Sequence, residues 1–520
     1  MEKNKFIVII ALIVALGGFL MGFDASVISG VNKFIELEFA LTKMELGFAV
    51  ASLTLTATLA MMVAGPLSDR IGRRQVLYYA ASLYFISAVG SAFAPSYVFL
   101  VIARMIGGLG VGASLIIAPM YIAEIAPPHM RGRMVSFNQL NIVIGISVAF
   151  FTNYMILQLG DSEASWAQNL KFDLYNWRWM LGLEAIPAII YFFALFVVPR
   201  SPRWLAMKGK YDEAIQVMKK VVIEEEAIRI VESVKNSMEK EEHQKKLPIK
   251  ELFQPALRYV LTIGLVIGIL QQITGINSVF FYAPMIFEQS GIGTDASFSQ
   301  AIFVGLINLV FTIIAIGLID KLGRKPLLIF GVSGIAICMF LLSYGFKTAT
   351  YSLSNETITQ LPAEIDKDKI MSLVGLTYQD DVGFKNAIRE TLGDQVAKQY
   401  ESELITASVS MNAWLILIGI LGFVASFAVS LGPVMWVLFS ELFPNWIRGL
   451  AISFVGLVNS GVSFGVQQFF PWELENLGSS VTFLIYGVFA AIGLIFIVIK
   501  LPETKGKSLE ELEGILVKSK

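Results

Sequence analysis

Apolar runs of bilayer length alternate with short polar breaks along almost the whole chain. About 20 predominantly apolar residues suffice to cross a hydrocarbon core. Roughly twelve such runs can be counted, near 6–30, 44–68, 75–94, 98–126, 133–158, 177–199, 256–288, 297–319, 326–346, 411–443, 446–474 and 479–501. An open sheet cannot pair its backbone groups in lipid, so helices are the expected form. The pattern predicts an all-α membrane protein with twelve transmembrane helices. The first run follows Met1-Glu2-Lys3-Asn4-Lys5 and continues through Gly22-Phe23-Asp24 without a small-residue cleavage site. It reads as a retained span rather than a signal peptide.

The breaks alternate in charge. Arg70, Arg73 and Arg74, then Arg131 and Arg133, Lys321, Arg324 and Lys325, and Arg448 fall on one side, while the loops near 95–97, 289–297 and 475–478 carry no Lys or Arg. The positive-inside rule then places both termini in the cytoplasm. Residues 200–255 have nearly balanced charge and apolar positions at helical spacing (Ala214, Val217, Met218, Val221). They are expected to form a cytoplasmic amphipathic linker between a first half, 1–199, and a second half, 256–501, with a cytoplasmic tail at 502–520. Residues 347–410 interrupt the second half on the opposite face. They lean acidic, hold Asp380-Asp381, and have enough apolar residues for short helices. A loop longer than adjacent spans require is expected to be a functional or a disordered segment; here an extracytoplasmic cap or partner surface is expected, not a part of a binding site.

Composition agrees with a membrane protein and narrows its chemistry. Of 520 residues 55% are hydrophobic and 16% charged, against about 25% charged in soluble domains. The 40 Lys+Arg against 41 Asp+Glu leave no net field, so nucleic acid is not an expected partner. The single cysteine, Cys338, excludes an internal disulfide. His129 and His243 read as solvated cytoplasmic residues. No spacing suggests a metal site, a phosphate loop or an activated nucleophile, so neither an enzyme nor a cofactor is expected.

The chain also repeats itself. Gly65-Pro66-Leu67-Ser68-Asp69-Arg70-Ile71-Gly72-Arg73-Arg74 after the second run is echoed by Gly317-Leu318-Ile319-Asp320-Lys321-Leu322-Gly323-Arg324-Lys325 after the eighth. Glu124 precedes Arg131 by the same interval as Glu441 precedes Arg448. A six-plus-six duplication explains both echoes, and such parallel repeats are a transporter architecture. Within the seventh run, Gln271-Gln272-Ile273-Thr274-Gly275-Ile276-Asn277-Ser278-Val279-Phe280-Phe281-Tyr282-Ala283-Pro284 carries donors and acceptors without charge, which suits a neutral polyhydroxylated ligand. In a regular helix Gln271 and Asn277 would point about 120° apart, and Gly275 between them can loosen the helix. The structural alternative is that these polar groups only join neighbouring helices.

Taken together, the sequence resembles the sugar porter family of the major facilitator superfamily over nearly its whole length. The resemblance rests on the two Asp-(Arg/Lys)-x-Gly-Arg-(Arg/Lys) loops and on Pro119-Met120-Tyr121-Ile122-Ala123-Glu124 followed by Arg131-Gly132. It rests equally on Ser201-Pro202-Arg203-Trp204-Leu205, Gln271-Gln272 with Gly275-Ile276-Asn277, Gly432-Pro433-Val434-Met435-Trp436, and Pro502-Glu503-Thr504-Lys505-Gly506. It implies alternating access around one central monosaccharide site, with Gln139, Gln271, Gln272, Asn277, Asn308, Trp436 and Asn459 as substrate contacts. Amides bond hydroxyls in both directions, and an indole offers an apolar face to a sugar ring. Phe281 stands where many relatives have Tyr, Ser460 where a second Trp is common, and Arg200 where an acid precedes Ser-Pro-Arg.

Three ionisable residues lie inside apolar runs: Asp24, Arg104 and Glu184. Such residues are functional candidates by default. A static Asp24–Arg104 pair beside a neutral Glu184 is the structural alternative. An acid at the Asp24 position resembles proton symporters such as the bacterial xylose carriers, whereas facilitative glucose transporters usually have Asn there. Asp69, Glu124 and Arg131 with Asp320, Glu441 and Arg448 are expected to latch the cytoplasmic mouth; the alternative is topology and loop anchoring alone. Ile146 shares a run with Gln139 and stands where, by the same resemblance, the xylose carriers have an amide and glucose facilitators an apolar residue, which leans towards a hexose. The expectation is therefore a proton-coupled monosaccharide symporter, monomeric, in the inner or plasma membrane, with sugar, proton and lipid bilayer as its partners. A uniporter of the same fold and a non-transporting sugar receptor are the rivals.

Overall fold

The computed structural model describes residues 2–127, 130–241, 248–444, 446–507 and 509–516. His129 and His243 lie outside the described residues, as does the placement of the Asp320 side chain. Eleven helices among the described residues are long and apolar enough to cross a membrane. In chain order they are Lys5–Glu38, Lys43–Ile71, Tyr97–Ile125, Arg131–Gly160, Asn176–Val197, Pro255–Glu288, Thr294–Ile319, Arg324–Lys347, Ala413–Leu442, Arg448–Asn476 and Gly478–Lys500. The 20-residue helix Arg73–Ala92 stands in the remaining place, third in order, so twelve spans are present. The spans are numbered here accordingly.

The ninth span shows why these helices suit lipid. Phe330, Ile337 and Tyr344 recur every two turns, and each is more than 60% exposed, while Leu328, Val332, Ile335, Met339 and Leu342 on the other side are buried. A water-facing stripe would be polar; this one is apolar and aromatic.

Three spans are broken part-way along. The sixth divides at Leu183-Glu184, between helices Asn176–Gly182 and Ala185–Ala194. Pro187 has no N–H to give to the Leu183 carbonyl four residues back, and the helical ladder lapses there. The tenth divides at Ser430 (φ −128°, ψ −95°), just before Gly432-Pro433. The seventh divides between Arg258–Ile273 and Ile276–Glu288, where Gly275 takes the left-handed conformation (φ 89°, ψ 17°). A Cβ at Gly275 would lie 2.5 Å from the Tyr486 ring of the twelfth span. Tyr282, just before Pro284, adds a second irregular turn to the same span (φ −131°, ψ 16°).

Two compact units emerge. One comprises Met1–Val27, Ser52–Ala149 and Tyr175–Pro248; the other comprises Ile28–Ala51, Phe150–Leu174 and Ile249–Lys520. The first two spans and the fifth therefore each pass from one unit to the other. In the first unit the linker forms the helices Pro202–Met207, Tyr211–Lys219 and Glu224–Glu241. Ala214, Met218 and Val221 are buried there, as the spacing predicts. In the second unit, residues 347–410 fold around their own apolar core, which includes Leu353, Ile370 and Leu404. Tyr351 stacks on Phe384 with centroids 5.4 Å apart. Short helices are present as expected. A three-stranded antiparallel sheet is not anticipated by the sequence: Thr350–Ser352 lies between Thr377–Tyr378 and Val409–Ser410. Strands of two or three residues are too short to show an alternating pattern.

Gly275→Ala is expected to lower thermal stability. The left-handed conformation costs a non-glycine residue about 1–2 kcal/mol, and the added methyl meets Tyr486. Gly465→Ala in the eleventh span, with open space at its Cβ, should not destabilise. Equal melting of the two variants in a thermal unfolding assay would mean that the seventh-span break is not held by Gly275.

Candidate functional site

The Gly275 break turns the polar stretch into one connected lattice. Asn277 Nδ2 donates to Gln272 Oε1 (2.8 Å) and to Ser463 Oγ (2.6 Å). Gln272 Nε2 donates to Asn459 Oδ1 and Gln271 Oε1, both at 3.2 Å. Asn459 Nδ2 donates to Gln271 Oε1 (2.9 Å) and to the Gly268 carbonyl (2.7 Å). Gln271 Nε2 closes the chain on the Leu431 carbonyl, beside the tenth-span break, at 3.0 Å. Gln271 and Asn459 are buried and fully engaged, whereas Gln272 and Asn277 are half-buried, so each keeps amide surface for a ligand. An uncharged array of donors and acceptors in this form suits hydroxyl groups.

Sequence reasoning missed two members of the lattice. Ser463 accepts from Asn277 and from Gln467 Nε2 (2.8 Å), and the Gln467 carbonyl accepts from Tyr282 (3.0 Å). Asn459, Ser463 and Gln467 recur every four residues, a polar stripe on one helix face that the spacing does carry. Of the remaining expected contacts, Asn308 is buried on the eighth span, and Trp436 is 48% exposed with its ring edge-on to Phe439. Gln139 is exposed on the fifth span within the first unit.

The ionisable group lies in the first unit. Arg104 Nη1 is 3.2 Å from Asp24 Oδ1, and each side chain is only 2% exposed. Glu184 sits at the sixth-span break, equally buried, within electrostatic reach of both. Asp24 Oδ2 and Glu184 Oε1 have no hydrogen-bond partner among the described residues. Tyr84 and Tyr191, buried nearby, donate to the Gly17 and Val14 carbonyls, each at 3.4 Å. A second buried carboxyl thus lies within electrostatic reach of the ion pair, an arrangement in which proton occupancy and pair geometry are linked.

The cytoplasmic ion groups form differently from the sequence expectation. Glu124 pairs with Arg73 (3.0 Å), not with Arg131, and Arg73 also holds Asp69 (2.7 Å). Glu441 pairs with Arg324 (2.7 Å), not with Arg448. Arg131 is exposed, and among the described residues neither it nor Arg448 forms an ion pair; Arg448 instead donates to the Phe443 carbonyl (3.0 Å). Each carboxylate is met by the cation that follows Gly72 or Gly323, brought in from another helix. The two centres match in detail. Arg73 and Arg324 each donate to the carbonyl five residues back, Ser68 and Ile319, at 3.1 Å. Ser201 and Thr504 each donate to the paired glutamate, Glu124 and Glu441.

Comparison with known proteins agrees with this architecture. The family model described as "Sugar (and other) transporter" matches residues 10–362 and 393–516. The chain belongs to the sugar transporter family. It is 34% identical to the arabinose-proton symporter of Bacillus subtilis, over 99% of this chain and 96% of that protein. It is 35% identical to the D-xylose-proton symporter of Escherichia coli, again over 99% and 96%. The solved structure of the Escherichia coli xylose transporter in an inward-open conformation superposes with a TM-score of 0.74 at 33% identity, covering 98% of this chain and 100% of that one.

Within this sugar transporter the internal repeat exposes one asymmetry. Glu503 accepts from the backbone N–H groups of Arg324 (3.1 Å) and Lys325 (3.0 Å), capping the ninth span. Its counterpart in the motif Pro199-Arg200-Ser201 is Arg200. The third span begins at Arg73, after Gly72, and among the described residues no side chain caps it; Arg200 lies 5.9 Å from the Trp204 ring instead.

Two measurements follow from this geometry. Gln272→Ala and Asn277→Ala should each weaken sugar binding by roughly 1–3 kcal/mol, the cost of orphaned hydrogen-bond partners. Ser463→Ala, which only orients Asn277, should cost less. Isothermal titration showing wild-type affinity in the first two variants would remove the seventh span from the site. Arg200→Glu should supply the missing cap and raise thermal stability by about 1 kcal/mol; an unchanged melt would show that the third span does not need one.

Proposed function

We propose that the protein imports a monosaccharide together with a proton by alternating access. The observation that carries this reading is the buried Asp24–Arg104 pair with Glu184 beside it, in a chain that also holds an uncharged amide lattice. Loading Asp24 with a proton cancels half of the ion pair. The attraction between Asp24 and Arg104, strong in a low-dielectric site, is then weakened, and the balance of contacts that holds the surrounding helices shifts. That links proton uptake to the shape of the protein. A static pair would hold the same helices together, but it gives no account of a second buried carboxyl facing the same guanidinium.

Gln139, Gln271, Gln272, Asn277, Asn308, Trp436 and Asn459 are the proposed sugar contacts. The half-buried amides of Gln272 and Asn277 and the exposed indole support this assignment. Relatives named for arabinose–proton and xylose–proton symport support the coupling; the apolar Ile146 leans instead towards a hexose, so the substrate class is proposed as monosaccharide. The protein is read as a monomer of the cell membrane with cytoplasmic termini, without cofactor or catalytic chemistry, the proton serving as coupling ion. The cytoplasmic groups Asp69–Arg73–Glu124 and Arg324–Glu441 are read as anchors of a gate, with Arg131, Asp320 and Arg448 as further members that engage when it closes.

The energetics suffice. One charge moving through ~100 mV releases about 2.3 kcal/mol. At ~1.4 kcal/mol per tenfold this sustains a sugar gradient on the order of forty-fold, before any pH difference is added.

Asp24→Asn removes the titratable proton while keeping size and much of the hydrogen bonding. In proteoliposomes with an imposed proton gradient the variant should bind sugar and retain counterflow but lose uphill accumulation, with melting followed in parallel. If the variant still accumulates sugar and a protonophore still abolishes this, the coupling site moves to Glu184. If the unmodified protein never accumulates sugar under any proton gradient, the uniporter reading replaces symport.

A further inference from the structure

Residues 28–51, the extracytoplasmic ends of the first two spans, pack as part of the second unit. The contacts are close and varied. Asn32 Nδ2 donates to the Phe281 carbonyl at 2.7 Å, and Lys33 meets Glu288 (3.2 Å) and Thr294 (2.6 Å) at the junction of the seventh and eighth spans. Gln468 Nε2 donates to the Met44 carbonyl at 2.8 Å. A Cβ at Gly47 would lie 2.0 Å from the Gln468 carbonyl oxygen, so only glycine allows the second and eleventh spans to approach this closely.

The 347–410 insertion joins this assembly at its centre. Lys43 pairs with Glu36 at 2.6 Å and lies in the field of Glu401, an insertion residue, and of Glu475. Glu401 is held from its own side by Lys385 (3.0 Å) and by Gln289 Nε2 (3.2 Å). Lys398 of the insertion donates to the Leu41 carbonyl, in the turn between the first two spans, at 3.3 Å. Burial alone would raise the Glu401 carboxyl, but Lys385 and then Lys43 outweigh it and hold it well below the usual carboxylate range. The insertion is itself fixed to the second half. Asp381 accepts from Ser479 N (3.0 Å) and Oγ (2.9 Å) at the start of the twelfth span, and Arg389 pairs with Glu475 (2.8 Å).

A solute entering from the extracytoplasmic side must pass where the ends of the first two spans meet the seventh and eleventh. In a transporter those contacts have to break and re-form in every cycle. We propose that the insertion is a working part of this outer gate: it presents Glu401 and Lys398 as a fixed receptor for Lys43 and the Leu41 turn, and so stabilises the closed outer side. An inert cap would have no reason to place a half-buried carboxylate in the field of a lysine of the second span. The proposal rests on the transport reading above, but its test reads a distance rather than transport, so the two can fail separately.

The test uses the full chain in nanodiscs, with Cys338→Ala and spin labels on cysteines placed at Glu38 and Lys369. Pulsed dipolar spectroscopy gives the distribution of distances between the end of the first span and the insertion. Lys43→Met and Glu401→Gln are each expected to raise the population of a longer, open distance several-fold over the parent. Lys43→Met leaves the internal Lys385–Glu401 tie intact, so its effect cannot come from unfolding of the insertion. An unchanged distribution in Lys43→Met overturns the proposal. So does a change in Glu401→Gln alone, which would assign Glu401 to holding the insertion together.

Discussion

In hydrocarbon a polar group must find its partner within the protein, because no water is available to supply one. Most of this molecule follows from that constraint. Backbone groups are satisfied inside helices, and the places where the helical ladder lapses are Leu183-Glu184, Gly275 and Ser430. The first two are where ionisable and amide side chains gather. Beside the third, the Leu431 carbonyl takes a bond from Gln271. The amides of the seventh and eleventh spans bond to one another, and on the proposed reading a sugar contacts them through its hydroxyls.

The same constraint separates the two kinds of chemistry. A buried ion pair with a second carboxyl within electrostatic reach lies in the first unit. The uncharged amide lattice lies in the second unit. A proton and a neutral solute can then be handled at separate sites and linked only through the movement of helices.

Duplication shaped the ion groups around Arg73 and Arg324, and divergence is visible against it. Arg73 and Arg324 make equivalent bonds to equivalent partners, down to the hydroxyls of Ser201 and Thr504. Arg200 breaks the symmetry by standing where the second half has Glu503. Around the insertion there is no such equivalence, because only the second half carries one between its third and fourth spans. That insertion is a folded element with a core of its own.

The twelve spans, the duplication, the amphipathic linker and the candidate residues of the seventh span are determined by the chain itself, since each is written as local periodicity or as a motif. Gly275 marks its break in the same way, being the residue that takes a positive φ without cost. What the tertiary structure decided is which partners meet. Glu124 chose Arg73 over Arg131, Ser463 entered the lattice, the insertion gained a sheet, and Lys43 came under Glu401. These are contacts between residues tens to hundreds of positions apart. Their energy depends on distance and burial in the packed state, and neither quantity is carried by the order of residues along the chain.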